Sequence, residues 1–169
     1  KHRRRQRQMC IRDSNDTAGL TIVESGSGTT AVEGGDNDTF TVRLASRPTG
    51  SVVLSVQASN SADVSVNPTT LSFDNGSSSW QTAQTVTVSA VNDAVDDDNV
   101  TSTITVSVNT SSTTDGKYDL VSSDNLTVVT VSDNDTVGLV LSKSSAVVSE
   151  NGSVRDNFSV VLSLSLIHI

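Results

Sequence analysis

Apolar residues fall on every second position, in short runs, along most of this chain. Phe40, Val42 and Leu44 alternate with Thr41 and Arg43, and Val52, Leu54 and Val56 repeat the pattern. Val86, Val88 and Ala90 sit among Thr85, Thr87 and Ser89, while Ile104, Val106 and Val108 alternate with Thr105 and Ser107. A period of two gathers one set of side chains on one face of an extended strand. A helix needs a period near 3.6, and that template fails almost everywhere here. Further short strands are read at 19–23, 30–32, 63–66, 70–73 and 126–131, where adjacent Val128 and Val129 interrupt the alternation as a bulge would. The runs are punctuated by Gly26 and Gly28, by Arg47-Pro48-Thr49-Gly50, by Asn67-Pro68 and by the turn signal Asp74-Asn75-Gly76. Seven to eight strands at this spacing, with no helix between them, predict an all-β fold, an antiparallel immunoglobulin-like β-sandwich. Outward Ser and Thr keep such strands wettable while retaining β propensity.

A second pattern sets the scale of organisation. Ser132-Asp133-Asn134-Asp135-Thr136-Val137-Gly138-Leu139 is nearly repeated by Asn15-Asp16-Thr17-Ala18-Gly19-Leu20, and the two copies lie 119 residues apart. That period is domain-sized rather than solenoid-sized. After Leu139 the opening of the unit restarts: Glu150-Asn151-Gly152 echoes Glu33-Gly34-Gly35, and Asn157-Phe158-Ser159-Val160-Val161-Leu162 echoes Thr39 to Leu44. Residues 15–135 therefore read as one complete sandwich and 136–163 as the truncated start of a second. Two or three strands cannot bury a core by themselves.

The two ends read differently. Met9-Cys10-Ile11-Arg12-Asp13-Ser14 can be encoded by a DNA whose reverse complement encodes Leu164-Ser165-Leu166-Ile167-His168-Ile169. Segments 1–14 and 164–169 are accordingly expected to be artefacts of translated sequencing-adapter DNA on a metagenomic fragment, and they are set aside for the fold. The basic run Lys1 to Arg7, which would otherwise suggest a nucleic-acid arm, goes with them.

What remains carries five bases against eighteen acids, a net charge of −13 where the whole chain has −8. Fifteen of those acids are Asp, the residue of turns and metal loops rather than of helical surfaces. No Cys, His or Met falls between residues 15 and 163. Disulfides, zinc-thiolate sites, thiol nucleophiles and imidazole catalysis are thereby removed together. No apolar run approaches a membrane span. A hydrolase would need paired carboxylates or a Ser-Lys arrangement, and no pocket-forming insertion accompanies them, so the chain is not expected to be an enzyme.

Carboxylates are plentiful, and calcium is the cation they suit: it takes six to eight hard oxygens at about 2.3–2.6 Å. Asp93, Asp96, Asp97 and Asp98 share one loop, where their mutual repulsion is unfavourable without a cation. An EF-hand is the wrong template, since counting from Asp133 the fifth and twelfth loop positions are Val137 and Ser144, neither of them a ligand. Trp80 offers a sugar-stacking platform or rim packing, and Tyr118 suits a structural tyrosine corner. The sequon Asn99-Val100-Thr101 is one of several expected by chance in an Asn/Ser/Thr-rich chain.

Read in order, six segments resemble the Calx-beta family, most of all the tandem repeats of large bacterial surface proteins. They are Val32-Glu33-Gly34-Gly35, Asp38-Thr39-Phe40-Thr41-Val42, Leu71-Ser72-Phe73, Gln84 to Val88, Val91 to Asp98, and Val131-Ser132-Asp133-Asn134-Asp135. The resemblance implies a sandwich that binds Ca2+ with carboxylates gathered at one end. By position it implies Glu33, Asp63, Asp93, Asp97, Asp133 and Asp135 as the metal ligands. Asn92 and Asn99 stand where acids are common in the family, and Asp97 where a longer glutamate is, which implies a weaker site.

The expectation is thus a non-catalytic, calcium-binding structural repeat of a large extracellular or cell-surface protein of adhesin type. Its partners would be neighbouring repeats of the same chain, without nucleic acid or membrane insertion. The alternative is a sandwich module that binds a glycan or protein without obligatory metal.

Overall fold

The computed structural model describes residues 16–76, 79–96 and 98–164, apart from the side chains of 124–128. It is an antiparallel β-sandwich followed by a separate hairpin. One sheet has four strands in the order β1 (Leu20–Glu24), β3 (Asp38–Leu44), β7 (Gln84–Ala90), β5 (Val64–Asn67). The other has five, in the order β2 (Thr30–Val32), β9 (Asp124–Ser132), β8 (Val100–Val108), β4 (Val52–Ala58), β6 (Thr70–Phe73). The spacing predicts seven to eight strands; the opening strand is split at Gly26 and Gly28 into β1 and β2, and the two sheets together hold nine. No helix among the described residues is long and apolar enough to cross a membrane.

The alternation does what a two-layer fold requires. Phe40, Val42, Leu44, Val52, Leu54, Val86, Val88, Ile104, Val106 and Val129 are all 0 % exposed, each on the inner face of its strand. From β3 to β8 every connection passes from one sheet to the other, so each turn caps an end of the sandwich. The Asp74-Asn75-Gly76 turn belongs to this set. It forms, with the Gly76 amide donating to Asp74 Oδ1 at 2.7 Å, but it leads from β6 in one sheet to β7 in the other rather than closing a hairpin. Along the β8–β9 pair, Ser102 faces Val129 and Ile104 faces Leu126, so β9 carries one residue more than its partner between those rungs. This is a bulge at Thr127-Val128, and it restores Val129 and Val131 to the core face.

Two buried polar devices tie the loops of one end together. Tyr118 is 1 % exposed, and its hydroxyl donates to the Ser46 carbonyl at 2.6 Å, joining segments 72 residues apart. Asp115, 2 % exposed, accepts from the Thr49 amide at 2.6 Å and from the Lys117 amide at 2.9 Å. Burial pushes its pKa up, but those amides, with the Thr49 hydroxyl and the Lys117 charge, together hold it below the ordinary carboxylate value.

After Ser132 the chain leaves the sandwich and forms an antiparallel pair, β10 (Leu139–Leu141) with β11 (Val160–Leu162). This pair repeats the end of the β1–β3 pair, with three rungs where that pair has five. Leu139 faces Leu162 as Leu20 faces Leu44. The Ser163 amide donates to the Gly138 carbonyl at 2.9 Å, as the Ala45 amide does to Gly19 at 2.8 Å. Asp38 accepts from the Ser25 hydroxyl and from the Thr30 and Thr39 amides; Asp156 accepts from the Lys143 ammonium and from the Val147 and Asn157 amides. Packing is where they differ. Phe40 is 0 % exposed and its counterpart Phe158 is 56 % exposed.

Candidate metal centre

The parallel pairing of β2 with β9 builds the site. Thr30 faces Thr130, Ala31 faces Val131 and Val32 faces Ser132. Because the strands run the same way they end at the same pole, and the next residues in register are Glu33 and Asp133. The Glu33 amide continues the ladder by donating to the Ser132 carbonyl at 3.1 Å. Thus two acids that are 100 positions apart in sequence arrive side by side at the sandwich rim.

Beyond these ends the backbone turns back on itself. Gly34 has φ +61°, and a Cβ there would meet Asn92 Oδ1 at 2.8 Å and Asn134 Nδ2 at 3.0 Å. Both the left-handed backbone and the close approach call for glycine. The Asn134 amide nitrogen bridges two segments, donating to the Glu33 carbonyl at 2.7 Å and to Asn92 Oδ1 at 3.0 Å. Asp133 Oδ1 accepts the Asp135 amide at 2.7 Å, which folds Asp135 back toward Glu33.

Among the described residues, one group of acids has its oxygens mutually close. Glu33, Asp133 and Asp135 each present a carboxylate oxygen, all within 4.8 Å of one another. Two oxygens on opposite sides of a single calcium ion would be roughly 5 Å apart at most. Glu33 is only 5 % exposed. Asp135 Oδ2 is shielded from solvent and accepts no hydrogen bond. Loss of hydration raises the pKa of Asp135 most, followed by the charges of Asp133, Asp93 and Asp96. A carboxylate in such a field gains by meeting a proton or a cation.

The other expected ligands are placed as follows. Asp93 lies near enough to act on Asp135 by charge, but its Oδ1 accepts the Val95 amide at 2.8 Å and it stands outside the close trio. Asp63 is fixed beside the end of β7, where its carbonyl accepts the Val91 amide at 2.9 Å. Its carboxylate takes the Asn60 side-chain amide and does not join the trio. Asp97 lies outside the described residues. Sequence reasoning undervalued the asparagines: Asn92 and Asn99, which stand in place of acids, are both structural. Asn99 Oδ1 accepts the Asp133 amide at 3.1 Å, and Asn92 accepts from Asn134. Their signal was the dipeptide Asn92-Asp93, an amide placed where a strand ends. Trp80, on the 3-10 turn Ser79–Gln81, is half-buried and packs against the core.

No family model matches this chain, and no curated protein matches it. Its sandwich is similar to solved ones. The E. coli chaperone DraB aligns at 12 % identity and TM-score 0.45, covering 72 % of this chain and 59 % of that one. The YadV chaperone aligns at 9 % and 0.43, covering 68 % and 52 %. WR4, a C. elegans MSP family member, aligns at 12 % and 0.40, covering 68 % and 96 %. The chain thus spans little more than half the length of the two chaperones.

Proposed function

We propose that the chain is a non-catalytic, calcium-binding structural repeat of a large extracellular or cell-surface protein, Calx-beta-like, with residues 136–163 beginning a second copy. The observation that carries this reading is the convergence of Glu33, Asp133 and Asp135 at the end of a parallel strand pair, immediately before the chain leaves the sandwich. Three carboxylates offer up to six oxygens, which suits calcium's preference for six to eight hard ligands; carbonyls or water would supply the rest. Without a cation the trio concentrates charge in a poorly hydrated place, so an ion would bind the folded chain selectively and stabilise it.

The repeat reading rests on the second hairpin, which rebuilds the register, the closing hydrogen bond and the aspartate cage of the first. Its bare apolar face is what the start of a sandwich looks like before the remaining strands cover it. The ion would then sit at the exit of one module and stiffen the passage to the next.

Calorimetric titration of the chain with Ca2+ is the direct test. The expected result is a dissociation constant of roughly 10⁻⁴ to 10⁻³ M, typical of extracellular modules. With Asp133→Asn and Asp135→Asn together, binding should weaken by at least tenfold. Binding by the wild type that survives both substitutions unchanged would move the ion elsewhere, and no binding by the wild type would remove it.

A further inference from the structure

The loop between β7 and β8 touches the exit segment at three places. Asn92 Oδ1 accepts from the Asn134 side chain at 3.0 Å, and Asn99 Oδ1 accepts the Asp133 amide at 3.1 Å. Further along, Asp96 Oδ2 accepts the Val137 amide at 2.9 Å. The first two grips hold the carboxylate trio; the third lies past it, on the first residues of the following unit. From Asp96 to Leu139 is then only a short step, because Gly138 opens the β10–β11 pair.

We infer that Asp96 is a positioning residue, not an ion ligand: its carboxylate clasps the Val137 amide and couples the charge state of the Glu33–Asp133–Asp135 cluster to the orientation of the next unit. The inference rests on the calcium reading above and names how that site would be transmitted. Asp96 is bonded to Val137 yet close enough to Asp135 for their charges to repel. In the ion-free chain that repulsion opposes the clasp. A divalent cation at the trio offsets that repulsion and steadies the loop that carries Asp96. The clasp, formed here at 2.9 Å, is therefore held more firmly when the ion is bound. Asp93, which shares the loop, has its Oδ1 engaged by Val95 and makes no such link to the exit segment.

The test uses the whole chain and two readouts, thermal melting and backbone 15N relaxation of the amides of residues 139–162, each with Ca2+ and with chelator. In the wild type, calcium should raise the melting temperature and also bring the relaxation of the hairpin toward that of the sandwich. Asp96→Ala should keep at least four-fifths of the melting shift and lose the change in hairpin relaxation. Asp96→Asn, which keeps an acceptor oxygen but not the charge, should hold the hairpin similarly with and without calcium. If Asp96→Ala orders the hairpin on calcium addition as the wild type does, the clasp is wrong. If Asp96→Ala loses the melting shift too, Asp96 is a ligand and the inference fails. A wild type with no melting shift at all overturns the calcium reading and the clasp with it.

Discussion

Two aspartates in this chain have pKa values moved in opposite directions, and each makes a prediction of opposite sign. Asp38 is held below the ordinary aspartate value, chiefly by the Ser25 hydroxyl and then by the Thr30 amide. Its ionised form is favoured by folding. The stability it contributes is complete above the unfolded value and is lost as pH falls through the lower folded one. Asp38→Ala should therefore lower the melting temperature at pH 7, and the gap to wild type should close in acid below about pH 3.8. Asp135 is raised, by lost hydration first and then by Asp133, Asp93 and Asp96. Folding disfavours its charge, so in chelator it destabilises above its folded pKa, and the penalty disappears as pH falls toward the unfolded value. Asp135→Asn should raise the melting temperature of the ion-free chain at pH 7 and have little effect near pH 3. The same substitution should shrink the calcium-induced shift. A destabilised ion-free Asp135→Asn would mean the carboxylate is satisfied without a cation.

At the scale of elements, the strands were legible and their partners were not. Period-two runs such as Phe40-Val42-Leu44 announce an inward face because side chains alternate strictly along a strand. The split of β1 from β2 was visible too, in Gly26 and Gly28. No local pattern states that the three-residue β2 pairs parallel to β9 across nearly the full length of the unit, because pairing over such a distance is decided by packing rather than by neighbouring residues. That pair positions the site. Glu33 and Asp133 were each legible as acids following an apolar strand, but Asp93 reads the same way and stands outside the close trio. The asparagine grips were hidden because Asn looked like a missing charge rather than a donor and acceptor in one side chain. Gly34 tests the element scale. Gly34→Ala must hold a left-handed residue and push apart Asn92 and Asn134. It should cost about 1–3 kcal/mol by denaturant unfolding, the range of a residue held in a strained backbone conformation. A cost under about 0.5 kcal/mol, the range of ordinary surface changes, would show that the turn relaxes freely.

On the scale of the whole molecule, the sandwich and the hairpin are unequal partners. The sandwich has a continuous core in which Phe40, Phe73 and Tyr118 are essentially unexposed. Phe40→Ala should lower stability by about 3–5 kcal/mol, the usual cost of emptying a buried aromatic position. Phe158 is its counterpart in the hairpin and is 56 % exposed, so Phe158→Ala should leave the main unfolding transition within about 0.5 kcal/mol of wild type. Equal costs would show that the hairpin shares the core of the sandwich. A cation at the exit of the sandwich is read most directly by the melting temperature of the chain in calcium against chelator. With free calcium at a hundred times its dissociation constant, a selective site adds about 2.7 kcal/mol, which corresponds to a rise of roughly 5–15 °C for a domain of this size. Identical melting temperatures in calcium and in chelator would contradict it.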